Sequence, residues 1–169
     1  MKNKAQIFAE QAHSAMSQVR KYTGQPYIAH PTAVVAFVNA VAHTVPMIAA
    51  AWLHDTVEDT EVTLEDIKRE FGAEVADLVE QLTDVSKLSD GNRTVRKAID
   101  LAHTAKASAE AKTIKLADLI DNTRNIVDLD PEFAKVYLKE KTLLIEVLAE
   151  GDPALLQLAK SILNKSQHN

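Results

Sequence analysis

Residues 47–60 read MIAAAWLHDTVEDT, an apolar segment that runs directly into one histidine and three carboxylates. As one continuous helix, this stretch would place His54 and Glu58 one turn apart on one face, and Asp55 and Asp59 likewise. Ionisable groups this close repel or desolvate one another unless a counterion compensates them. A divalent cation is one solution, because imidazole nitrogens and carboxylate oxygens suit Zn, Mn or Fe. The alternative is a solvent-exposed, acidic helix end.

The composition favours a helical globular protein. Of the 169 residues, 46% are hydrophobic and 5% are aromatic, and glycine and proline are few. A chain with this much apolar material can bury a sizeable core, so disorder is not expected. There is no cysteine, which excludes thiolate sites. Any metal ion must therefore be held by histidine, aspartate or glutamate.

Charge and hydropathy narrow the class of partner. The net charge of −5 argues against a general nucleic-acid surface, so an anionic ligand would need a local basic pocket. No stretch reaches about 18 uninterrupted apolar residues, and the N-terminal residues do not lead into a signal-peptide core. We therefore expect a cytoplasmic protein with no membrane or nucleic-acid partner. The sequence leaves the oligomeric state open.

Helical periodicity recurs along the chain, and no convincing period-2 strand appears. Several helices begin at recognisable signals: Pro31 and Pro46 suit a first turn, and Asp130-Pro131 and Asp152-Pro153 pair an N-cap with a proline. A polar loop covers residues 84–92. The sequence predicts a compact all-α protein, a single domain over residues 1–169 with roughly seven to nine helices.

Two further polar residues lie in apolar surroundings. His30 follows Pro26 and three further residues at a loop-to-helix junction, where a histidine commonly caps a helix or packs in a core. Asp118 lies between apolar neighbours, with Asn122 on the same helical face. Burying an unpaired aspartate is costly, so Asp118 either binds a partner or is partly exposed. Spacing alone does not bring these residues to His54.

Several ordered blocks resemble a known family. His30, the His54-Asp55 pair and Asp118 resemble the H…HD…D set of the HD metal-dependent phosphohydrolase superfamily. The segments 23–31 (TGQPYIAHP), 53–60 (LHDTVEDT) and 115–118 (KLAD) are similar to the hydrolase domain of the RelA/SpoT alarmone enzymes. The resemblance also includes residues 63–67 and 71–75 and covers about residues 15–130. With no room for the synthetase and regulatory domains of the long enzymes, the chain is similar to stand-alone small alarmone hydrolases.

The resemblance implies an HD-type helical bundle and a metal-dependent reaction. The substrate would be guanosine 3′-diphosphate 5′-di- or triphosphate (ppGpp or pppGpp), hydrolysed at the 3′ position to GDP or GTP plus pyrophosphate. The matching catalytic pair, Glu58 and Asp59, would handle the attacking water and the leaving oxygen, and the sequence leaves open which does which. One divalent ion, Mn²⁺, would be held by His30, His54, Asp55 and Asp118.

A substrate with several negative charges requires basic contacts. The family's Arg-Lys pair that contacts the base is matched by Arg20 and Lys21, and its polar contact to sugar or base by Asn122. A second basic cluster follows the polar loop and is either a phosphate contact or a solvated helix face; it comprises Arg93, Arg96 and Lys97. Tyr27 is expected to pack rather than to bind.

Two positions depart from the family pattern. Leu119 stands where the family often has a basic residue, and Asp121 stands where it often has histidine or tyrosine, so the edge of the pocket should be less positive. These departures bear on the substrate more than on the reaction. The alternatives are another HD-type nucleotide phosphohydrolase, such as a nucleotidase or an NADPH phosphatase, and a non-catalytic nucleotide-binding module. The joint presence of all candidate ligands and both carboxylates argues against the second.

Overall fold

The computed structural model describes residues 1–167, and its regular elements over that range are helices, apart from one isolated β-bridge between Val19 and Pro26. Nine helices have eight residues or more and two have four, which confirms the predicted all-α class. No helix in this range is both long and apolar enough to cross a membrane. The helices are α1 (Lys2–Ala15), α2 (Ala29–Asn39), α3 (Val45–Leu53), α4 (Thr56–Asp59), α5 (Leu64–Phe71), α6 (Ala73–Leu82), α7 (Arg93–Ala105), α8 (Ala109–Thr123), α9 (Ile126–Leu129), α10 (Pro131–Val147) and α11 (Pro153–Gln167), with a short 3-10 helix at Leu88–Asp90.

The described residues divide into two compact units. The first comprises Met1–Thr83 and contains α1 to α6, and the second begins at Asp84 and contains α7 to α11. The boundary falls in the polar segment after α6, where the sequence predicts a loop. A single hydrolase domain over the whole chain stays a prediction, and its last two positions, 168 and 169, lie outside the described residues.

Helix α3 forms the centre of the first unit, where α1, α2 and α6 pack against it. All its residues from Met47 to Leu53 are buried. The Thr44 hydroxyl caps the helix by accepting a hydrogen bond from the Met47 N–H at 3.3 Å. Pro46 occupies the first turn, where its missing N–H costs nothing. Because α3 is apolar all round, it can only be stable as a core helix, and this position carries its C-terminal end into the interior.

Helix α3 ends at Leu53, and the chain turns at His54 and Asp55 before α4 begins. The expectation of one continuous helix through residues 47–60 is therefore wrong. Side chains satisfy the last carbonyls of α3: His54 Nδ1 donates to the Ala51 carbonyl at 2.9 Å, and the Thr56 hydroxyl donates to the Leu53 carbonyl at 2.7 Å. Helical backbone hydrogen bonding begins again at Asp55, whose carbonyl accepts from the Asp59 N–H at 3.0 Å. Because of this break, His54 and Asp55 lie in a turn, whereas Glu58 and Asp59 lie on a separate helix.

In the second unit, α8 is enclosed by the helices around it, with α10 and α11 in contact. Eleven of its 15 residues are buried, Asp118 among them. The α10–α11 connection approaches α8 closely at Gly151. A Cβ atom there would lie 2.8 Å from Leu116 Cδ1 and 3.1 Å from the Lys112 carbonyl carbon, so a larger residue would require Leu116 to move and the two backbones to separate slightly.

Candidate active site

Three candidate ligands converge in the first unit where α3 ends. His54 Nε2 lies 3.2 Å from His30 Nε2, and an Asp55 carboxylate oxygen lies 3.1 Å from His54 Nε2 and 3.5 Å from His30 Nε2. Ligand atoms from all three residues lie within 4.8 Å of one another. The two imidazoles are each 1% exposed, whereas the Asp55 side chain is 18% exposed. The structure thus brings together three of the four predicted metal ligands.

The donor set of this cluster fits a divalent metal ion. Because the Ala51 carbonyl can only accept a hydrogen bond, His54 Nδ1 carries a proton and Nε2 can present a lone pair towards His30 and Asp55. Two buried imidazole nitrogens 3.2 Å apart, with a carboxylate beside both, form a set of donors that one cation can accept together. Imidazole with carboxylate is a ligand combination typical of Zn, Mn and Fe.

Tyr27 contacts the cluster through both its hydroxyl and its ring. Its hydroxyl donates a 2.6 Å hydrogen bond to Asp55 Oδ2, the oxygen that faces both imidazoles. Its ring packs against His13 and His30, with centroid distances of 4.6 Å and 5.8 Å. The predicted packing is confirmed, but the hydroxyl contact was missed. The available signal was that Tyr27 lies three residues before His30, in the turn that leads into α2. Outer hydrogen bonds of this kind fix the orientation of metal ligands.

The candidate catalytic pair lies on α4, directly after the cluster. The Asp59 backbone N–H donates to the Asp55 carbonyl at 3.0 Å, which ties α4 to the ligand turn. Glu58 is exposed and Asp59 is partly buried. Two carboxylates that are neighbours in sequence suit proton transfer to and from a substrate. The assignment of this pair as catalytic stays a prediction.

Two residues that sequence reasoning missed hold Asp59 in place. Gln18 Nε2 donates to Asp59 Oδ2 at 2.8 Å, and Gln18 Oε1 accepts from His13 Nδ1 at 2.7 Å. His13 is 1% exposed, and its Nε2 has no hydrogen-bond partner among the described residues. No periodicity in the sequence links His13, Gln18 and Asp59, because the link depends on the turn that follows α1.

The remaining predicted ligand, Asp118, lies on α8 in the second unit and is 8% exposed. Its carboxylate accepts a 2.6 Å hydrogen bond from Asn122 Nδ2 and lies 3.3 Å from Lys115 Nζ, both on the same helix. Asp118 is thus buried and paired, which removes the partly exposed alternative. Its assignment as the fourth metal ligand stays a prediction from the resemblance.

Two predicted base contacts lie in the turn between α1 and α2. The backbone of Arg20 anchors this turn: its N–H donates to the Gln25 carbonyl at 2.8 Å, and its carbonyl accepts from Gly24 at 2.9 Å. Lys21 is exposed and donates to the Tyr22 hydroxyl at 3.1 Å. The turn therefore presents two cations on a fixed backbone, and their contact with a substrate stays a prediction.

The basic cluster on α7 is engaged within the second unit. Arg93 forms a two-pronged contact with the Glu140 carboxylate at 2.7 Å and 2.8 Å. Lys97 donates to Asp84 at 2.8 Å; burial alone would lower the pKa of Lys97, but this bond raises it. Arg96 has a buried Nε with no hydrogen-bond partner among the described residues. The predicted phosphate contacts thus carry structural ion pairs at two of three positions.

The two positions that depart from the family pattern are both buried in the second unit. Leu119 is part of the core around α8, and Asp121 is buried beside the Arg124 guanidinium. The carboxylate of Asp121 is therefore compensated by a neighbouring positive charge.

The family of the chain follows from these features together with a direct comparison. The family model for the HD domain matches residues 5–150, which covers most of the chain. The chain therefore belongs to the HD domain family, a class consistent with an all-helical fold that carries the His30, His54 and Asp55 cluster.

Particular relatives narrow the class further. The human guanosine-3′,5′-bis(diphosphate) 3′-pyrophosphohydrolase MESH1 is 39% identical over 111 residues, covering 64% of this chain and 60% of that protein. A probable guanosine-3′,5′-bis(diphosphate) 3′-pyrophosphohydrolase of Synechocystis sp. is 37% identical over 132 residues, covering 76% of this chain and 17% of that protein. A solved structure described as a metazoan ortholog of SpoT that hydrolyzes ppGpp has a TM-score of 0.86 at 28% identity, covering 97% of this chain and 94% of that chain.

The predicted resemblance to the RelA/SpoT hydrolase domain and to small alarmone hydrolases is thereby confirmed. The chain spans only 17% to 21% of the length of three long relatives, from Synechocystis sp., Mycobacterium leprae and Arabidopsis thaliana.

Proposed function

We propose that this HD-domain protein is a metal-dependent hydrolase of ppGpp and pppGpp, which releases pyrophosphate from the 3′ position and leaves GDP or GTP. The observation that carries the proposal is the cluster of His30, His54 and Asp55, to which the backbone of Asp59 is hydrogen-bonded. The substrate class is supported by the names of the human and Synechocystis relatives and by the description of the metazoan structure.

We assign one divalent ion, Mn²⁺, to His30, His54 and Asp55, with Asp118 as the predicted fourth ligand. When bound, a divalent ion polarises a phosphoryl oxygen and lowers the pKa of water. Two neutral imidazoles with two carboxylates would nearly neutralise its charge, so the ion alone would not balance the negative charges of the substrate. Tyr27 contributes by holding the Asp55 carboxylate in one orientation.

In the hydrolysis, one phosphorus–oxygen bond forms and another breaks at the same phosphorus atom. A water oxygen bonds to the phosphorus that is attached to the 3′ oxygen, and the bond between that phosphorus and the 3′ oxygen breaks. The water loses a proton and the 3′ oxygen gains one, which yields pyrophosphate and a 3′ hydroxyl. Glu58 and Asp59 serve these two proton transfers, and as close neighbours they titrate as a pair.

The nucleotide requires contacts besides the reacting phosphate. We assign Arg20 and Lys21 to the base because they match the family's Arg-Lys pair, and the 20–25 turn holds Arg20 on an ordered backbone. Asn122 is assigned to the sugar or base. The phosphates are assigned to the α7 cluster, Arg93, Arg96 and Lys97. Arg93 and Lys97 would then each share their charge between a carboxylate and the substrate.

A side-by-side assay with Mn²⁺ tests this function. The substrates are ppGpp, NADPH and GMP, and the products are pyrophosphate and inorganic phosphate. We expect pyrophosphate release from ppGpp with a kcat/KM above the values for NADPH and GMP, and loss of turnover with a chelator. Three results would overturn the proposal: phosphate release mainly from NADPH, robust cleavage of GMP without turnover of ppGpp, or binding of ppGpp with no turnover of any substrate.

A further inference from the structure

The second unit contains a cavity of about 440 Å³ between α7, α8 and α10. Much of its wall is aliphatic, including Leu101, Val136 and Leu144. Four lysines also line it: Lys97, Lys115, Lys139 and Lys141. A cavity of this size fits a small organic or phosphorylated ligand. The question is which of its charges are already compensated by the protein.

The carboxylates in the wall of the cavity already accept hydrogen bonds from other groups of the protein. Glu140 accepts from two nitrogens of Arg93 at 2.7 Å and 2.8 Å. Asp84 accepts from Lys97 at 2.8 Å. Asp100 accepts two backbone N–H groups and the Ser86 hydroxyl at distances of 2.9 Å to 3.1 Å. These negative charges therefore have partners other than Lys141.

Among the four lysines, Lys97 and Lys115 pair with carboxylates and Lys139 is exposed, which leaves Lys141. In the part of the chain that the structure describes, its ammonium has no hydrogen bond or ion pair and lies 4.8 Å from the centroid of the Tyr137 ring. Burial lowers the pKa of Lys141 to about 8, with the charge of Asp118 acting in the opposite direction, so the group is still largely protonated at neutral pH.

Tyr137 is no counterion for Lys141. Burial raises the pKa of its phenol above the ordinary value, and its hydroxyl lies 3.3 Å from the Thr123 hydroxyl. A neutral aromatic face stabilises an ammonium only modestly, by about 0.5–2 kcal/mol. Lys141 thus presents a positive charge to an aliphatic cavity, where an anion would be attracted more strongly than in water.

We propose that this cavity binds a phosphate-bearing anion, with Lys141 as its central contact and Lys97 and Lys115 at its sides. Ammonium groups are point charges that suit phosphate, and a ligand with two or more negative charges matches several of them together. Two sources share this chemistry: the phosphates of the nucleotide substrate, in which case the inference rests on the proposed function, or a separate small phosphate compound that acts as an effector.

The test measures binding of inorganic pyrophosphate to the metal-free full chain by isothermal titration calorimetry, with EDTA present so that no metal ion contributes. Lys141→Met removes the charge and keeps an unbranched apolar side chain. Lys135→Met is the matched control, because Lys135 is on the same helix but is exposed and pairs with Glu132 at 2.8 Å. We expect Lys141→Met to weaken binding by about tenfold or more, the size of one charged hydrogen bond, and Lys135→Met to leave it unchanged.

Equal affinities for the wild type and Lys141→Met, with both melting cooperatively, would overturn the proposal, as would an absence of pyrophosphate binding to the wild type. Kinetics distinguish the two sources. A raised KM for ppGpp with kcat retained in Lys141→Met supports a substrate subsite, whereas an unchanged KM with loss of a pyrophosphate effect on rate supports an effector site. Pyrophosphate binding that depends on Lys141 in a protein without ppGpp turnover would support the cavity while refuting the proposed hydrolase function.

Discussion

The Gln18 side-chain amide donates a 2.8 Å hydrogen bond to the Asp59 carboxylate across 41 positions of sequence. The opposite end of the same amide accepts a 2.7 Å hydrogen bond from the buried His13 ring. Asp59 is also tied through its backbone N–H to the carbonyl of Asp55. Asp59, one of the two candidate catalytic residues, is thus linked through its backbone to the predicted metal ligand Asp55 and through its side chain to the first helix.

Substitution of Gln18 by leucine should therefore slow the reaction without disturbing the metal. The change removes the amide that orients Asp59, and we expect kcat for ppGpp to fall about 10- to 100-fold, as for other outer-shell partners. The Kd for Mn²⁺ should stay as in the wild type. Steady-state kinetics and calorimetry measure the two quantities. Gln11→Leu, at an exposed position of α1, is the control. An unchanged kcat in Gln18→Leu would show that Asp59 needs no such support.

The catalytic pair can be separated from the metal ligands by isosteric changes. Glu58→Gln and Asp59→Asn keep the size of each side chain and remove its ability to carry a proton. We expect each to lower kcat by at least about 100-fold, the usual contribution of a general acid or base. Mn²⁺ affinity should be nearly intact in both. Turnover that survives either change at the wild-type rate would refute the role assigned to that residue.

Tyr27→Phe tests the support of the metal cluster. The substitution removes the hydroxyl that donates to Asp55 at 2.6 Å and leaves the ring that packs against His13 and His30. We expect Mn²⁺ affinity to fall about 10- to 100-fold, because the Asp55 carboxylate loses its outer partner. Tyr22→Phe is a matched control, since the Tyr22 hydroxyl contacts Lys21 rather than the cluster. Equal Mn²⁺ affinities for both variants would contradict this role.

The helical class of the fold was predictable from the sequence, but the break at the active site was not. Apolar spacing and proline positions are local signals, and the structure has helices where they indicate. The turn at His54 and Asp55 depends instead on side-chain bonds from His54 and Thr56 to the carbonyls that end α3. Such bonds leave no trace in a hydrophobic pattern.

The site was predictable only in part for a similar reason. The spacing of His30, His54 and Asp55 does not bring them together, and the resemblance to a family was needed to connect them. The supporting residues Gln18 and His13 belong to no quoted motif. The hydrogen bonds from His13 to Gln18 and from Gln18 to Asp59 depend on how α1 and the turn after it pack in the first unit. Long-range polar contacts of this kind follow from tertiary structure and not from local propensity.

Asp118→Asn tests the predicted fourth ligand. If Asp118 binds the ion, loss of its charge should weaken Mn²⁺ binding by at least about tenfold, since even outer-shell changes have that effect. Asp121→Asn is the matched control on the same helix, where the carboxylate is buried beside Arg124. Calorimetric titration with Mn²⁺ measures both variants. A Kd equal to that of the wild type in Asp118→Asn would remove this residue from the ligand set.

We predict that Asp100, in the second unit, makes the stability of the fold depend on pH. The residue is 5% exposed and accepts hydrogen bonds from Val85 and Ser86. Burial alone would raise its pKa, but the bonds from Ser86 and the charge of Lys97 hold the pKa below the ordinary value of 3.8. The unfolded chain therefore takes up this proton at a higher pH than the folded chain does.

The contribution of Asp100 to stability is consequently complete above the ordinary pKa and is lost as the pH falls through the lowered value. We expect Asp100→Asn to reduce the free energy of unfolding by about 2 kcal/mol or more at pH 7, because a buried, charge-assisted network loses its negative charge and one of its two acceptor oxygens. Urea unfolding at pH 7 and at several values below pH 4 measures the difference from the wild type. That difference should shrink as the pH falls, whereas the exposed control Asp128→Asn should stay close to the wild type throughout. A difference that is constant with pH would mean that the charge of Asp100 does not stabilise the fold.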